Sequence, residues 1–376
     1  MPKGTIAITI RKLSHTFYSV HLIPYTIEVE MADILQLIGA LSIAVSITFI
    51  CSLLLLWKPY SRIPSLKDKH VVITGGSSGI GLAIAKEALA QGAYVTMIAR
   101  NLAKLEAAAQ EILHELQCEK NRINIKAADV RNYEAISAAI NESFQWRPFD
   151  VILLNAGVGS ASYMDKVSIE SIDTIVGTNL IGTLYTLRVA LPLMKEISYR
   201  HPSALVLVGS LASLYPAYGG GVYTCTKYAL RGLAENLRLE LLPYKIAVSF
   251  VCPGFVETAM LTQMEDSIVD PVMAEVARKV TFYSRRRAEN SRDVAKATLK
   301  AVTQGRSFLA TGWKGSLLFI LSTGILPADS FAKAVLGMIV QVPARVFGYL
   351  IICYVYAVIW VNHRTKTIII KNSADK

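Results

Sequence analysis

Six short apolar runs, each followed by a stretch of helix length, constrain this chain more than any other feature. They are VVIT (71–74), YVTMIA (94–99), INIKAADV (123–130), DVILLNAG (150–157), ALVLVGS (204–210) and KIAVSFVCPG (245–254). The runs are nearly continuous in apolar character instead of alternating. That is the pattern of strands buried on both faces, so the intervening helices must supply the cover. Repeated β-α units with right-handed crossovers predict a doubly wound parallel α/β sheet.

The sequence on either side of this series has a different character. Apolar residues make up 53% of the chain and charged residues only 18%. A soluble domain holds nearer about 25% charged residues, which assigns part of this chain to lipid. Residues 34–57 (ILQLIGALSIAVSITFICSLLLLW) form an uncharged run of 24 residues. As a helix it would extend about 36 Å, enough to cross a bilayer with tilt. It is longer than the apolar core of a cleaved signal, about 7–15 residues, so an anchor is favoured over a signal; a buried soluble helix is the alternative. Lys58, Arg62, Lys67 and Lys69 follow at once, whereas residues 14–33 contain no Lys or Arg. The positive-inside rule then places the following domain in the cytosol, with Trp57 and Tyr60 at the interface. Apolar runs return at 316–325, 331–342 and 346–361, interrupted by Pro327, Asp329, Lys333, Pro343 and Arg345. They fit either a membrane hairpin or an interfacial platform. The expected division is a leader and N-terminal membrane anchor (1–66), a Rossmann-type catalytic domain (67–310) and a C-terminal membrane-associated region (311–376).

The net charge of +11 suits an anionic membrane surface, a phosphate-bearing ligand or nucleic acid. The absence of zinc-finger spacing and of interleaved aromatic and basic residues argues against nucleic acid. The five cysteines show no CxxC or metal-ligand spacing. They read as free thiols of a reducing compartment, and no metal site is expected.

VVITGGSSGIG (71–81) places a glycine-rich turn between the first strand and a helix opening near Ile80. Glycines there permit positive φ and a close backbone approach to a pyrophosphate, which the helix N-terminus attracts. Thr74, Gly75, Ser77, Ser78, Gly79, Ile80 and Gly81 are the candidate phosphate-side residues. A glycine triplet alone is a weak signal; its position between strand and helix at the start of a β-α series strengthens it. The second strand ends Ile98–Ala99–Arg100, with no acid there to accept bonds from a ribose 2′-hydroxyl. A guanidinium in that place can clasp a 2′-phosphate, so Arg100 points to NADPH over NADH; the alternative is a solvated loop cation.

Ser210, Tyr223 and Lys227 are the candidate catalytic groups. Tyr and Lys four apart (YTCTK, 223–227) face the same way along a helix. A nearby ammonium is expected to lower a phenol's pKa from about 10 and let it exchange protons with a carbonyl oxygen. Ser210, closing a strand where open α/β sheets place their sites, can hydrogen-bond the same oxygen. YxxxK alone is common on amphipathic helices; the glycine loop and the serine upstream give it weight.

With TGGSSGIG, LNAG (154–157), Asn179 in GTNLIG, Ser210, YTCTK and PGFVET (253–258) in this order, the chain resembles the short-chain dehydrogenase/reductase superfamily over about 69–308. The resemblance implies that Asn155, Ala156 and Gly157 line the adenine-ribose side and that Asp129 and Val130 flank the adenine. It implies that Asn179 anchors a water for a proton relay through Lys227, which also holds the nicotinamide ribose. Pro253, Gly254 and Thr258 would border the nicotinamide. ITGGSSGIG, IARN and ALRGLAENLRLELLPY (229–244) further resemble the 3-ketodihydrosphingosine reductases. That resemblance implies NADPH-dependent reduction of 3-ketosphinganine, a long-chain lipid ketone, at the cytosolic face of the endoplasmic reticulum membrane. PGFVET stands where those reductases often carry PPDT-like sequence. Residues 259–287 read as a substrate lid with Arg285, Arg286 and Arg287 near lipid headgroups; a plain surface helix and loop is the alternative. A membrane-bound steroid, retinoid or 3-ketoacyl-thioester reductase, or an NADPH-binding scaffold without activity, remain alternatives. Related proteins often form homo-oligomers through the helices beside the Tyr–Lys element.

Overall fold

The computed structural model describes residues 5–7, 28–30, 36, 38–44, 46–47, 63–198, 201–268, 270–280 and 288–322. The chain divides into two compact units, Met1–Pro59 and Tyr60–Lys376. In the first, strands β1 (Thr5–Ala7) and β2 (Glu28–Glu30) pair antiparallel, and residues 38–44 are helical. Most of the 34–57 run, and everything after residue 322, lies outside the described residues. Among the described residues no helix is long and apolar enough to cross a membrane.

The second unit is built on seven parallel strands: β3 (His70–Thr74), β4 (Tyr94–Ala99), β5 (Ile123–Ala127), β6 (Val151–Leu154), β7 (Ser203–Val208), β8 (Ile246–Cys252) and β9 (Phe308–Ala310). Their order across the sheet is β5-β4-β3-β6-β7-β8-β9. Chain order reverses between β3 and β6, and the carboxyl ends of the strands at such a reversal are the usual ligand position in open α/β sheets. The central strands β3, β6, β7 and β8 are buried along their whole length. This explains their unbroken apolar character: each face of the sheet meets helices.

Helices α1 (Gly79–Ala90), α2 (Leu102–Leu116) and α9 (Ser291–Gln304) supply one face, where Ile84, Leu105, Ile112 and Leu299 pack against Val71, Ile73 and Val95. On the other face α3 (Tyr133–Trp146), α5 (Gly182–Ser198) and α6 (Gly221–Glu240) bring Ile136, Ile140, Leu187, Leu230 and Leu237 onto Val72, Ile152 and Leu205. A short α4 (Ile169–Val176) runs into a π-turn, Gly177–Ile181, before α5. Two helices follow β8, α7 (Ala259–Asp266) and α8 (Pro271–Val280), and α10 (Gly312–Ser322) follows β9.

Two details differ from the sequence expectation. Ile63 and Leu66, assigned above to the leader, are 2% and 1% exposed and belong to the core of the second unit. A seventh strand, β9, joins the sheet edge beside β8; with three residues it is too short to leave a periodic signal.

Candidate active site

The carboxyl end of β3 and the turn after it form a tightly tied knot. Gly75 and Gly79 have φ of +69° and +56°, which L side chains rarely adopt. Gly81 is required for a different reason: a Cβ there would lie 2.2 Å from the Gly75 carbonyl oxygen and 2.6 Å from Asn155 Nδ2. Asn155 Nδ2 donates to the carbonyls of Thr74 (3.1 Å) and Gly75 (3.3 Å). Thr74 Oγ1 accepts from the N–H groups of Asn155 and Ala156, both at 3.1 Å. Asn155 thus braces the glycine turn across the β3–β6 reversal instead of reaching outward. Ser78, the residue before α1, makes no side-chain cap bond, which leaves the first-turn N–H groups and the positive helix end available to an anion. The bare glycine cradle and the uncapped helix mouth fit a dinucleotide pyrophosphate, with Ser77 half-buried and Ile80 on the helix beside them.

Arg100 is exposed just beyond β4. It faces the end of β5 closely enough to help hold the Asp129 carboxyl below its usual value. Burial works against that carboxylate, but Arg131 outweighs it, donating from Nη2 at 2.8 Å and from its backbone N–H at 2.9 Å. Val130 is buried, and a Cβ on Gly182 would lie 2.5 Å from its Cγ2.

Ser210 follows β7 and caps a short 3-10 turn, Leu211–Ser213, its Oγ accepting from Ala212 N–H at 3.2 Å. The same side chain lies near enough to the Tyr223 hydroxyl to act on its pKa. Tyr223 and Lys227 sit one turn apart on α6. Lys227 is 4% exposed; its Nζ donates to the Val208 carbonyl at 3.0 Å and lies 5.5 Å from the centre of the Tyr223 ring. Gly157 completes the cluster, since a Cβ there would lie 3.3 Å from Asn179 Oδ1 and 3.6 Å from Lys227 Nζ. Asn179 is fully buried on the π-turn, a distortion that recurs at functional sites. Its Oδ1 accepts from Val158 N–H (2.8 Å), and its Nδ2 donates to Val158 O (3.0 Å) and Thr226 Oγ1 (3.1 Å). The asparagine therefore ties α6, between Tyr223 and Lys227, to the loop after β6.

The electrostatics correct one expectation. Burial pushes the Tyr223 phenol above its ordinary value, and the Ser210 side chain offsets this only in part. Burial also depresses Lys227, to about 8. Desolvation dominates both partners, so the expected lowering of the phenol by the ammonium is not what the protein's own groups produce.

On the far side of the site, Pro253 accepts from Leu211 N–H at 2.9 Å, next to Ser210. Gly254 N–H donates to Thr311 Oγ1 at 3.1 Å. Thr258 caps α7, and its Cγ2 would sit 3.1 Å from a Cβ on Gly79. The 253–258 turn therefore touches both the glycine turn and the serine. Beyond it, α7 and α8 fold over the loops that flank Tyr223. Met264 packs on Gly159 and Met273 on Gly219. Ala161 N–H donates to Ser267 Oγ at 3.0 Å, and the Tyr163 hydroxyl donates to Asp270 at 3.2 Å. Arg285, Arg286 and Arg287 lie outside the described residues.

Residues 69–268 match the short chain dehydrogenase family. The chain belongs to that family. It is 33% identical over 287 residues to 3-dehydrosphinganine reductase TSC10A of Arabidopsis thaliana, covering 76% of this chain and 84% of that protein. It is 31% identical over 277 residues to 3-ketodihydrosphingosine reductase of Mus musculus, with 72% and 79% covered. Among solved structures it is similar to a 3-ketoacyl-(acyl-carrier-protein) reductase of Brucella melitensis complexed with NADH, at a TM-score of 0.56 and 27% identity over 66% of this chain and 98% of that one. It is also similar to a serine dehydrogenase complexed with NADP+, at a TM-score of 0.55 and 27% identity, covering 64% and 94%.

In this short-chain dehydrogenase the glycine turn, Asn155–Gly157, Asn179, Ser210, Tyr223, Lys227 and the 253–258 turn all meet around one site. Arg100, Asp129 and Val130 lie at its β4–β5 end. Sequence reasoning missed Ser213, Cys252, Glu289 and Thr311. Cys252, at the end of β8, has its thiol pushed up to about 12 by burial beside Ser213. Glu289 and Thr311 come from distant segments with no motif; only the fold brings them to the 253–258 turn.

Proposed function

We propose that this oxidoreductase reduces the ketone of 3-ketosphinganine to dihydrosphingosine in sphingolipid synthesis, using NADPH. The reaction rests on Tyr223 and buried Lys227, whose Nζ lies 5.5 Å from the centre of the Tyr223 ring, beside Ser210 at the carboxyl end of the sheet. Support for the substrate comes from relatives named 3-dehydrosphinganine or 3-ketodihydrosphingosine reductase that match 72–81% of the chain. Arg100, with no acid at Ile98 or Ala99, supports NADPH over NADH.

A nicotinamide dinucleotide held by the glycine turn, Lys227 and the 253–258 turn would supply the hydride for the ketone carbon. As that carbon becomes tetrahedral, the Tyr223 hydroxyl donates its proton to the oxygen, and the Ser210 hydroxyl stabilises the developing charge. A phenol held above its ordinary pKa stays protonated at neutral pH, the state a general acid needs in the reductive direction. Lys227 would hold the nicotinamide ribose and pass a proton back toward Tyr223, with Asn179 beside the route.

We place the protein at the cytosolic face of the endoplasmic reticulum membrane, held by the apolar runs at both ends. The long alkyl tail of the substrate supports this location, because each CH₂ withdrawn into water costs about 0.8 kcal/mol. An enzyme at the bilayer surface can take the polar head while the tail stays near lipid. α7 and α8, with Met264 and Met273 turned toward the loops beside Tyr223, act as the lid.

The test is a panel of ketones assayed on membranes carrying the protein: 3-ketosphinganine, a 3-ketoacyl thioester, a 3-ketosteroid and retinal, each with NADPH and NADH. Turnover of 3-ketosphinganine with NADPH is expected. Turnover of another ketone without 3-ketosphinganine overturns the substrate, and turnover of none supports a scaffold.

A further inference from the structure

Glu289 lies between the lid and α9, outside every motif considered above. We propose that Glu289 is a positioning residue, locking the 253–258 turn that carries the nicotinamide end of the cofactor to the end of β9. The inference rests on the dinucleotide reading above.

Glu289 is held to the turn through its backbone. Its N–H donates to the Phe255 carbonyl at 2.7 Å, and its carbonyl accepts from Glu257 N–H at 3.0 Å, a one-residue parallel bridge opposite Val256. The side chain then reaches back beneath Gly254. Its carboxylate lies against Gly254, close enough for the Gly254 N–H and the Thr311 hydroxyl to act on it, and that N–H donates to Thr311 Oγ1 at 3.1 Å. Thr311 is 5% exposed and anchored in turn, its own N–H donating to the Cys252 carbonyl at 3.1 Å. Gly254, Thr311 and the Glu289 carboxylate thus gather in one cluster beneath the turn.

Two glycines make room for it. A Cβ on Gly254 would lie 2.6 Å from Glu289 Oε1, and one on Gly312, where φ is +69°, would lie 3.4 Å from the same oxygen. The carboxylate is half-buried, and no Lys or Arg pairs with it among the described residues. Burial pushes its carboxyl above the usual value, and the two neutral donors offset part of that. Hydrogen bonds to an ionised acceptor are about twice as strong as neutral ones, so a carboxylate fixes a turn more firmly than a hydroxyl does. What it fixes borders both working ends of the site: Pro253 binds Leu211 N–H beside Ser210, and Thr258 lies against Gly79. Loosening the turn moves the nicotinamide half of the cofactor and leaves the adenine half, at β4 and β5, in place.

The test uses the full chain in detergent and two ligands, NADPH and 2′-phospho-ADP-ribose, which lacks the nicotinamide half. Glu289→Ala is expected to weaken NADPH about tenfold or more while leaving 2′-phospho-ADP-ribose within about twofold. Glu289→Gln, whose amide keeps an accepting oxygen at the same reach, is expected to restore NADPH affinity to within about threefold. Gly254→Ala, which drives the carboxylate aside, is expected to reproduce the Glu289→Ala pattern. Equal weakening of both ligands, or of neither, overturns the positioning role. A wild-type protein that binds neither ligand overturns the dinucleotide reading, and the inference with it.

Discussion

At the scale of single residues, the site is governed by burial acting on two groups of opposite charge type. Tyr223 is pushed up and Lys227 down to about 8, so both shifts favour neutral forms. For reduction the phenol must carry its proton and the amine its charge, and pH below about 8 satisfies both. The rate constant kcat/KM for ketone reduction is therefore expected to be flat from neutral pH to near 8 and to fall above it as Lys227 loses its proton. A profile that climbs above that pH would show that a deprotonated group limits the reaction. Arg100 makes a separate prediction. A charge-assisted pair with a 2′-phosphate is worth roughly 1.5–3 kcal/mol, so Arg100→Ala is expected to cut the NADPH-over-NADH preference by about tenfold or more. An unchanged ratio of kcat/KM values would place the 2′-phosphate elsewhere. These residues were legible from the chain because their chemistry is local: YTCTK needs only a helix to align its ends, and Arg100 only a strand end. The direction of the Tyr223 shift was not legible. It depends on how deeply the fold buries the Tyr223 hydroxyl itself, which no local spacing records.

At the scale of elements, the strand–turn–helix unit of β3 and α1 holds the closest backbone approach in the site. Gly81→Ala places a methyl 2.2 Å from the Gly75 carbonyl, a contact that backbone must move to relieve. Dinucleotide affinity is expected to fall by more than about tenfold, since overpacking of this kind typically costs about 1–3 kcal/mol. Gly232→Ala in α6 is the matched control, having nothing within 4 Å of the added methyl. It is expected to leave binding unchanged and to raise stability by about 0.5–1 kcal/mol. Titration of NADPH by fluorescence, with circular dichroism to confirm folding, reads both. Equal effects of the two variants would contradict the cradle. Five of the six longer strands were visible as apolar runs because burial on both faces leaves no alternation to disguise them, whereas β5, at the sheet edge, is only partly buried. β9 was not visible, and the π-turn at Asn179 was not, because one is too short for a period and the other is set by packing against Val158 and Thr226. Ile63 and Leu66 sit so close to the charged residues after the apolar run that only the packed core shows where they belong.

At the scale of the whole molecule, stability carries a pH dependence set far from the site. His70 opens β3 and is fully buried. Its Nδ1 lies 2.7 Å from the Arg147 carbonyl and its Nε2 2.8 Å from Thr96 Oγ1, and burial lowers its pKa from 6.5 to about 4. A histidine depressed in the folded state binds its proton more readily when unfolded, so stability is full above 6.5 and declines as pH falls toward 4. The loss is on the order of 3 kcal/mol across that window. Thermal melts in detergent between pH 7 and pH 5 are expected to fall more steeply for the wild type than for His70→Gln; parallel slopes would contradict this. The same sheet carries the reaction at its opposite end, where the reversal between β3 and β6 gathers the glycine turn, Ser210, Tyr223 and Lys227. The central claim is that this site passes a hydride and a proton to a lipid ketone. The most direct measurement is to supply 3-ketosphinganine with NADPH deuterated at the transferable nicotinamide position, using wild-type and Tyr223→Phe proteins, and to analyse the product by mass spectrometry. Dihydrosphingosine carrying one deuterium at carbon 3 is expected from the wild type. The variant is expected to turn over at a rate lower by a factor on the order of 10²–10⁴ while still binding NADPH. Product without the label, or equal labelling rates from both proteins, would contradict the claim.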